Sequence, residues 1–134
     1  MKEMKYTVIS LMVLLLFGCG DSETYEVGNK TSIEVTPQVF DAGDVILGEK
    51  VSAKFTITNT GDYPLVISDV TGSCSCTVAD KPDKPIPPGK TGIVRAYVNT
   101  SATGVGALNK AVNIVANTEP SVTTVVVRAA VMKK

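Results

Sequence analysis

Lys-Val-Ser-Ala-Lys-Phe-Thr-Ile-Thr-Asn occupies residues 50–59, and Thr60-Gly61-Asp62 follows it. Apolar residues fall at every second position of this stretch, namely Val51, Ala53, Phe55 and Ile57. Because successive side chains of a strand point to opposite faces, a period of two predicts a strand with one buried face and one wet face. The Thr-Gly-Asp sequence favours a turn immediately after it. The stretch therefore predicts an antiparallel sheet that is covered on one side only.

The same alternation recurs through the rest of the chain after residue 30. Valine, isoleucine and threonine make up 39 of the 116 residues from 19 to 134, whereas leucine contributes 3. Branched side chains favour strands and leucine favours helices. The sequence predicts an all-β fold, an immunoglobulin-like antiparallel β-sandwich of about seven strands, over residues 31–134. The segments that we expect to contain its strands are 31–36, 38–46, 50–59, 64–71, 74–79, 91–99, 109–117 and 121–132.

The inward-facing residues of these segments define the expected core. Thirteen apolar side chains belong to it: Val45, Val51, Ala53, Phe55, Ile57, Leu65, Ile67, Val94, Val98, Val112, Ile114, Val125 and Val127. A core of this size suits one small domain.

Composition excludes several classes of function. The 134 residues carry 13 basic and 13 acidic side chains, so there is no excess positive charge for nucleic acid. Histidine is absent from the sequence, which excludes a Ser-His-Asp triad, a Cys-His dyad and a histidine-ligated metal. Two acid pairs, Asp41 with Asp44 and Asp80 with Asp83, lie in expected loops or strand ends, where solvated carboxylates are common. We predict no enzyme activity, no cofactor and no nucleic-acid partner.

The N-terminal segment is typical of an export signal. Two lysines precede a twelve-residue apolar run, residues 6–17, which is too short to span a bilayer and fits a signal-peptide core. The run ends in Leu16-Phe17-Gly18-Cys19, which resembles the lipobox of bacterial lipoproteins. We predict a signal peptide over residues 1–18, lipidation of Cys19 and a flexible tether over residues 19–30. The alternatives are an ordinary secretory signal with an incidental cysteine, or a short membrane anchor.

The residues after Cys19 bear on location. In enteric lipoproteins an aspartate directly after the cysteine retains the protein at the inner membrane, and this chain has Gly20 there. We therefore expect a lipid anchor in the outer membrane, facing the periplasm or the cell surface. Asp21, Glu23 and Glu26 resemble the acidic surface-export signals of Bacteroidetes lipoproteins, and they equally suit a solvated linker.

Three strings over residues 38–132 carry a family resemblance: Asn59-Thr60-Gly61-Asp62, Cys74-Ser75-Cys76-Thr77 and Pro88-Gly89-Lys90. Together they resemble a Bacteroidetes-type lipoprotein family of unknown function with a Hydin-like, ASH-type immunoglobulin fold. The chain is also similar to the major sperm protein and pilus-chaperone sandwiches. The resemblance implies the fold and secretion and no established activity. Ser75 departs from the glycine that is common between the two cysteines in the family.

Cys74 and Cys76 are the candidate site of the domain. On an extended strand residues i and i+2 share a face, with Cα atoms about 6.6 Å apart, so a disulfide requires a bend at Ser75. Three states remain open for the pair. It forms a strained disulfide, as an oxidising compartment favours, or two buried inert thiols, or a copper(I) or other soft-metal site.

Two functions compete on these observations. The first is a lipid-anchored immunoglobulin-like module of the cell envelope, non-catalytic, that binds a partner or has a structural role. Its membrane contact is the N-terminal lipid, and its partner is an envelope protein or a polysaccharide. The alternative is a thiol-redox or copper(I)-binding envelope protein that uses Cys74 and Cys76.

Overall fold

A computed structural model describes residues 28–134 of the chain. It contains eight strands and one single-turn 3₁₀ helix, Thr100–Ala102. The strands are β1 (Ile33–Thr36), β2 (Val39–Ile46), β3 (Lys50–Asn59), β4 (Ile67–Gly72), β5 (Thr77–Asp80), β6 (Thr91–Asn99), β7 (Gly106–Ala116) and β8 (Val122–Met132). No helix long and apolar enough to cross a membrane occurs in this part of the chain.

The strands form two four-stranded sheets with the orders β1-β3-β6-β5 and β2-β8-β7-β4. The all-β sandwich is confirmed, with eight strands rather than about seven. The fully antiparallel arrangement is wrong at one place, because β2 pairs with β8 in parallel. The chain passes from the first sheet to the second between Thr36 and Val39 without reversing direction. Alternation along one strand does not report the direction of its neighbour, so the sequence could not reveal this pairing.

The core fills the space between the sheets as the alternation predicts. Phe55 is completely buried, and Phe40 contacts it edge-on with ring centroids 6.4 Å apart. Twelve of the thirteen expected core residues are buried. Val45 is the exception, since it is partly buried and packs against the outside of the core. Ile86 joins the core from the proline-rich loop, residues 81–90, where no alternation of apolar residues predicts a buried position.

The two ends of the sandwich are formed by different segments of the chain. The N-terminal pole consists of residues 28–32, 59–65, 86–90 and 117–121, where the described chain begins. The cystine pole consists of residues 46–50, 73–77 and 99–106 at the other end of the same strands. Strand register places these ends apart, because Lys50 pairs with Asn99 at one end of β3 and Thr58 pairs with Thr91 near the other.

Candidate functional site

Cys19, the expected lipidation site, lies outside the described residues, as do the expected signal peptide 1–18 and most of the tether. These assignments stay predictions. Residues 28–30, the end of the expected tether, are described, and Lys30 forms an exposed ion pair with Glu119.

Cys74 and Cys76 lie in the connection between β4 and β5. The structure joins them by a disulfide across Ser75, with Cα atoms 5.2 Å apart. Our expectation of a strand over 74–79 is wrong at its start, because β5 begins at Thr77. The connection carries the chain from one sheet to the other within four residues, so it must turn where we expected extended backbone. The Thr77 N–H donates to the Cys74 carbonyl at 3.1 Å and closes this turn.

Hydrogen bonds to strands of both sheets hold the cystine turn, residues 73–77, in place. The Asn99 N–H donates to the Cys76 carbonyl at 2.9 Å, and the Ser73 N–H donates to the Ala111 carbonyl at 2.9 Å. Both cysteines are half-buried. The buried Thr77 hydroxyl lies 3.7 Å from the Cys74 sulfur and 3.9 Å from the Cys76 sulfur. Residues 28–134 contain no group of three or more histidine, cysteine or acidic side chains placed to hold a metal.

Two exposed carboxylates have altered acidity. The Gly43 N–H, which donates to Asp41 at 2.9 Å, lowers the pKa of that carboxyl, and Arg128 lowers it further. The Arg128 guanidinium approaches the same carboxylate at 2.8 Å. Lys30 lowers the pKa of Glu119 by the same kind of contact. Both carboxylates are therefore held in the charged form at neutral pH, which is the opposite of what a general acid requires.

A buried asparagine organises the N-terminal pole, and from the sequence we placed Asn59 only at the boundary between a strand and a turn. The Asn59 side chain accepts from the Thr31 hydroxyl at 2.7 Å and from the Gly61 N–H at 3.1 Å. Its amide donates to the carbonyls of Tyr63 at 2.7 Å and Ile86 at 2.9 Å. All four hydrogen-bonding positions of a fully buried amide are thus used. The signal was present in the alternation, because Asn59 continues the inward-facing series of odd-numbered residues in β3.

Asn117 has a similar role between β7 and β8. Its side chain accepts from the Val66 N–H at 2.7 Å and donates to the carbonyls of Asn29 and Pro64, each at 2.9 Å. Its own carbonyl accepts from the Thr31 N–H at 2.9 Å. Asn59 and Asn117 therefore hold the incoming N-terminal segment from two sides.

A groove of about 520 Å³ lies between β6 and the proline-rich loop. The loop contributes one wall, including Pro82 and Pro85, and Gly92 and Ile93 contribute the strand side. Arg95 lines its far end beside β5. Gly92 is required here because the Ile86 and Pro82 side chains fill the place that a Cβ would take. The groove joins apolar surface to charged side chains.

The fold is shared with proteins of very different sequence. A protein of unknown function from Porphyromonas gingivalis W83 is 22% identical, with a TM-score of 0.67 over 82% of this chain and 51% of the other. The chain thus spans about half the length of that protein. An ASH/PapD-like domain of human CEP192 is 8% identical, with a TM-score of 0.62 over 78% of this chain and 88% of the other. Vibrio cholerae VesB protease is 19% identical, with a TM-score of 0.55 over 77% of this chain and 32% of the other.

These similarities support the immunoglobulin-like, ASH/PapD-like fold, and they do not indicate a function. No curated protein has a significant match to this sequence. A family model described as "Protein of unknown function (DUF1573)" matches residues 33–131, which covers β1 and nearly all of β8. The sequence, the eight-stranded sandwich and this match agree, and the chain belongs to the DUF1573 family.

Proposed function

We propose that the chain is a lipid-anchored module of a bacterial cell envelope, attached through Cys19, that binds a partner or has a structural role without catalysis. The string Leu16-Phe17-Gly18-Cys19 after an apolar run supports the anchor. Gly20 directly after the cysteine supports the outer membrane, with the module facing the periplasm or the cell surface. Two or three acyl chains suffice for stable anchoring, whereas one chain is marginal.

The observation that carries the proposal is the place where the chain enters the sandwich. Asn29 and Thr31 are hydrogen-bonded to Asn117 at the N-terminal pole. Residues 19–28 span at most about 35 Å when fully extended. An anchor at Cys19 would therefore direct the N-terminal pole toward the membrane and leave the sheet edges and the cystine pole accessible to partners.

The charged side chains of the described residues support a non-catalytic role. The two carboxylates with altered pKa, Asp41 and Glu119, are exposed, paired with Arg128 and Lys30, and shifted toward the charged form. A catalytic acid or base instead has a pKa tuned toward the operating pH by burial or by like charge.

Cell fractionation tests the proposal. The full chain should sediment with envelope membranes and enter solution only with detergent, whereas Cys19→Ala should be found in the soluble fraction. Cys74→Ser/Cys76→Ser is the matched control and should remain with the membranes. Activity-based probes for serine and cysteine hydrolases should leave the purified chain unlabelled. Membrane association of Cys19→Ala equal to that of the wild type, or specific probe labelling abolished by one point variant, would contradict the proposal.

A thiol function is the second candidate, and the position of Thr77 favours it. The Thr77 hydroxyl lies against both sulfurs and is placed to donate a hydrogen bond to a thiolate after reduction of the disulfide by a dithiol. The reduced pair offers two soft ligands to copper(I). Thiol titration of the reduced chain with and without copper(I) tests this candidate. Tight binding of one copper(I) per chain would favour it over a purely structural cystine.

A further inference from the structure

The edge of the first sheet is incomplete where β5 stops. β5 ends at Asp80, which pairs with Arg95, whereas β6 continues in the direction of the N-terminal pole to Thr91. Continued in the same register, Pro82 would lie opposite Ile93. Proline has no N–H to donate, so it cannot extend a ladder. β6 is therefore an interior strand over one half of its length and an edge strand over the other.

Two hydrogen bonds establish which backbone groups point out of this edge. The Lys90 carbonyl accepts from the Asn59 N–H at 3.0 Å, so residue 90 faces β3. The Asn99 N–H donates to Cys76 at 2.9 Å, so residue 99 faces the β5 side. Backbone groups alternate between the two sides along a strand, and the registers of β6 with both neighbours are unbroken. The odd-numbered residues therefore face the β5 side.

Thr91 and Ile93 consequently direct their N–H and C=O groups toward the groove. Within residues 28–134 no hydrogen bond to these groups is found on that side, although loop-to-strand bonds are found elsewhere, as between Leu65 and Ile86. The loop offers few donors there, because four of its residues are proline. Unpaired strand edges are templates for another chain.

The charges at this edge are unbalanced. Three cations, Lys81, Lys84 and Arg95, line the groove with two carboxylates, Asp80 and Asp83. A fourth cation, Lys54 of β3, lies directly opposite Arg95 of β6 in the strand register. Arg95 therefore has a like charge opposite it on β3 and the Asp80 carboxylate opposite it on β5. None of the four cations belongs to the ion pairs found in the described part of the chain, Lys30–Glu119 and Arg128–Asp41.

We infer that the free edge of β6 binds an extended acidic segment of a partner polypeptide, which adds a short strand beside Thr91–Ile93. A polypeptide in extended form supplies alternating donors and acceptors at the spacing of this edge. Its acidic side chains meet the cations that line the groove, Lys81, Lys84 and Arg95. The inference deepens the binding role proposed above and is independent of the lipid anchor, so failure of one does not imply failure of the other.

The test uses the full chain in detergent and a peptide, acetyl-Asp-Val-Asp-Val-Asp-amide, observed by amide NMR. Addition of the peptide should shift the Thr91 and Ile93 amides with a saturable dependence on concentration. The same peptide N-methylated at alternate positions keeps its charge and loses the N–H donors along one edge. It should bind about tenfold more weakly, as expected for the loss of backbone hydrogen bonds. Inorganic phosphate and an oligosaccharide of uronic acids are the anionic controls, and neither should change the chemical shift of the Ile93 amide.

Two variants separate the backbone from the charges. Ile93→Pro removes the outward N–H and keeps the ladder to β3, with Ile93→Val as its matched control. We expect the proline variant to bind the peptide about tenfold more weakly and the valine variant to bind it like the wild type. If circular dichroism shows that the proline variant is unfolded, the test rests on Arg95→Glu and on the N-methylated peptide, and both should show weaker binding. Equal binding of both peptides, unchanged binding by Arg95→Glu, or equal shifts of Ile93 with phosphate would overturn the inference.

Discussion

Asn59 makes four side-chain hydrogen bonds at the N-terminal pole. Its amide connects the incoming chain at Thr31, the turn at Gly61 and the proline-rich loop at Ile86. It is fully buried, and Thr31 and Ile86 are buried as well, so removal of the amide would leave polar groups in the interior short of hydrogen-bond partners. Burying an unpaired polar group costs about 1–3 kcal/mol in free energy.

Asn59→Ala should therefore lower the free energy of unfolding by about 2–4 kcal/mol, because two buried groups, the Thr31 hydroxyl and the Ile86 carbonyl, lose a hydrogen-bond partner at once. Asn113→Ala is the matched control, since Asn113 lies on the outer face and, within residues 28–134, its side chain bonds only to the exposed Thr124. The control should change stability by less than about 0.5 kcal/mol. Urea denaturation of both variants measures the difference. Equal stability of the two variants would show that the network does not hold this pole.

Asp41 gives a prediction about pH at the residue scale. Its pKa is lowered, first by the Gly43 N–H and then by Arg128. Because the folded pKa lies below the unfolded one, the stabilisation is present above the unfolded pKa and is lost as the pH falls through the folded value. Carboxyl NMR should place the Asp41 midpoint below 3.8, the ordinary value.

Arg128→Gln separates the two causes. It should raise the Asp41 pKa only part of the way to the ordinary value, because the Gly43 N–H remains. Arg95→Gln, on the other sheet, should leave the Asp41 titration unchanged. Full return of the pKa to its ordinary value in Arg128→Gln would assign the whole effect to the guanidinium.

At the scale of elements, the cystine turn connects the two sheets at a place where the sequence predicts the start of a strand. A disulfide stabilises by restricting the unfolded chain, and the effect is small for a short ring. Cys74→Ser/Cys76→Ser should lower the free energy of unfolding by about 1–2 kcal/mol, from the entropy of a three-residue loop. Denaturant titration with and without a reductant measures this, with Cys19→Ala as the control that keeps the ring.

The mass of the chain provides the second readout of the same element. Under non-reducing conditions the wild type should lack two hydrogens relative to the dithiol, and the double serine variant should show no change on reduction. A wild-type chain with both thiols free, or an unchanged midpoint on reduction, would contradict a structural cystine.

The elements also show where sequence reasoning succeeds. β3, β6 and β8 alternate regularly, and their predicted bounds agree with the structure to within one residue. The start of β5 and the burial of Ile86 depend on contacts between distant parts of the chain, so the local alternation of apolar residues does not predict them. The Asn59 network was missed for the same reason, since a polar residue in an inward position shows its role only when its partners are brought to it. The unpaired edge of β6 depends on the length of its neighbour.

At the scale of the whole molecule, the chain is a two-sheet sandwich with its N-terminal segment attached at one pole. The composition, the alternation and the family strings were sufficient to predict the sandwich, but not the place where the N-terminal segment attaches. They could not predict the parallel pairing of β2 with β8, because direction is a property of the connection between Thr36 and Val39. They also could not locate a binding surface, since many functions occur on the same sandwich.

Metabolic labelling with an alkyne fatty acid tests the central claim, lipid anchorage through Cys19, most directly. Wild type and Cys74→Ser/Cys76→Ser should carry the label to the same extent, because their N-terminal cysteine is intact. Cys19→Ala should carry none, since the acylated thiol is absent. Labelling of Cys19→Ala equal to that of the wild type would contradict the account.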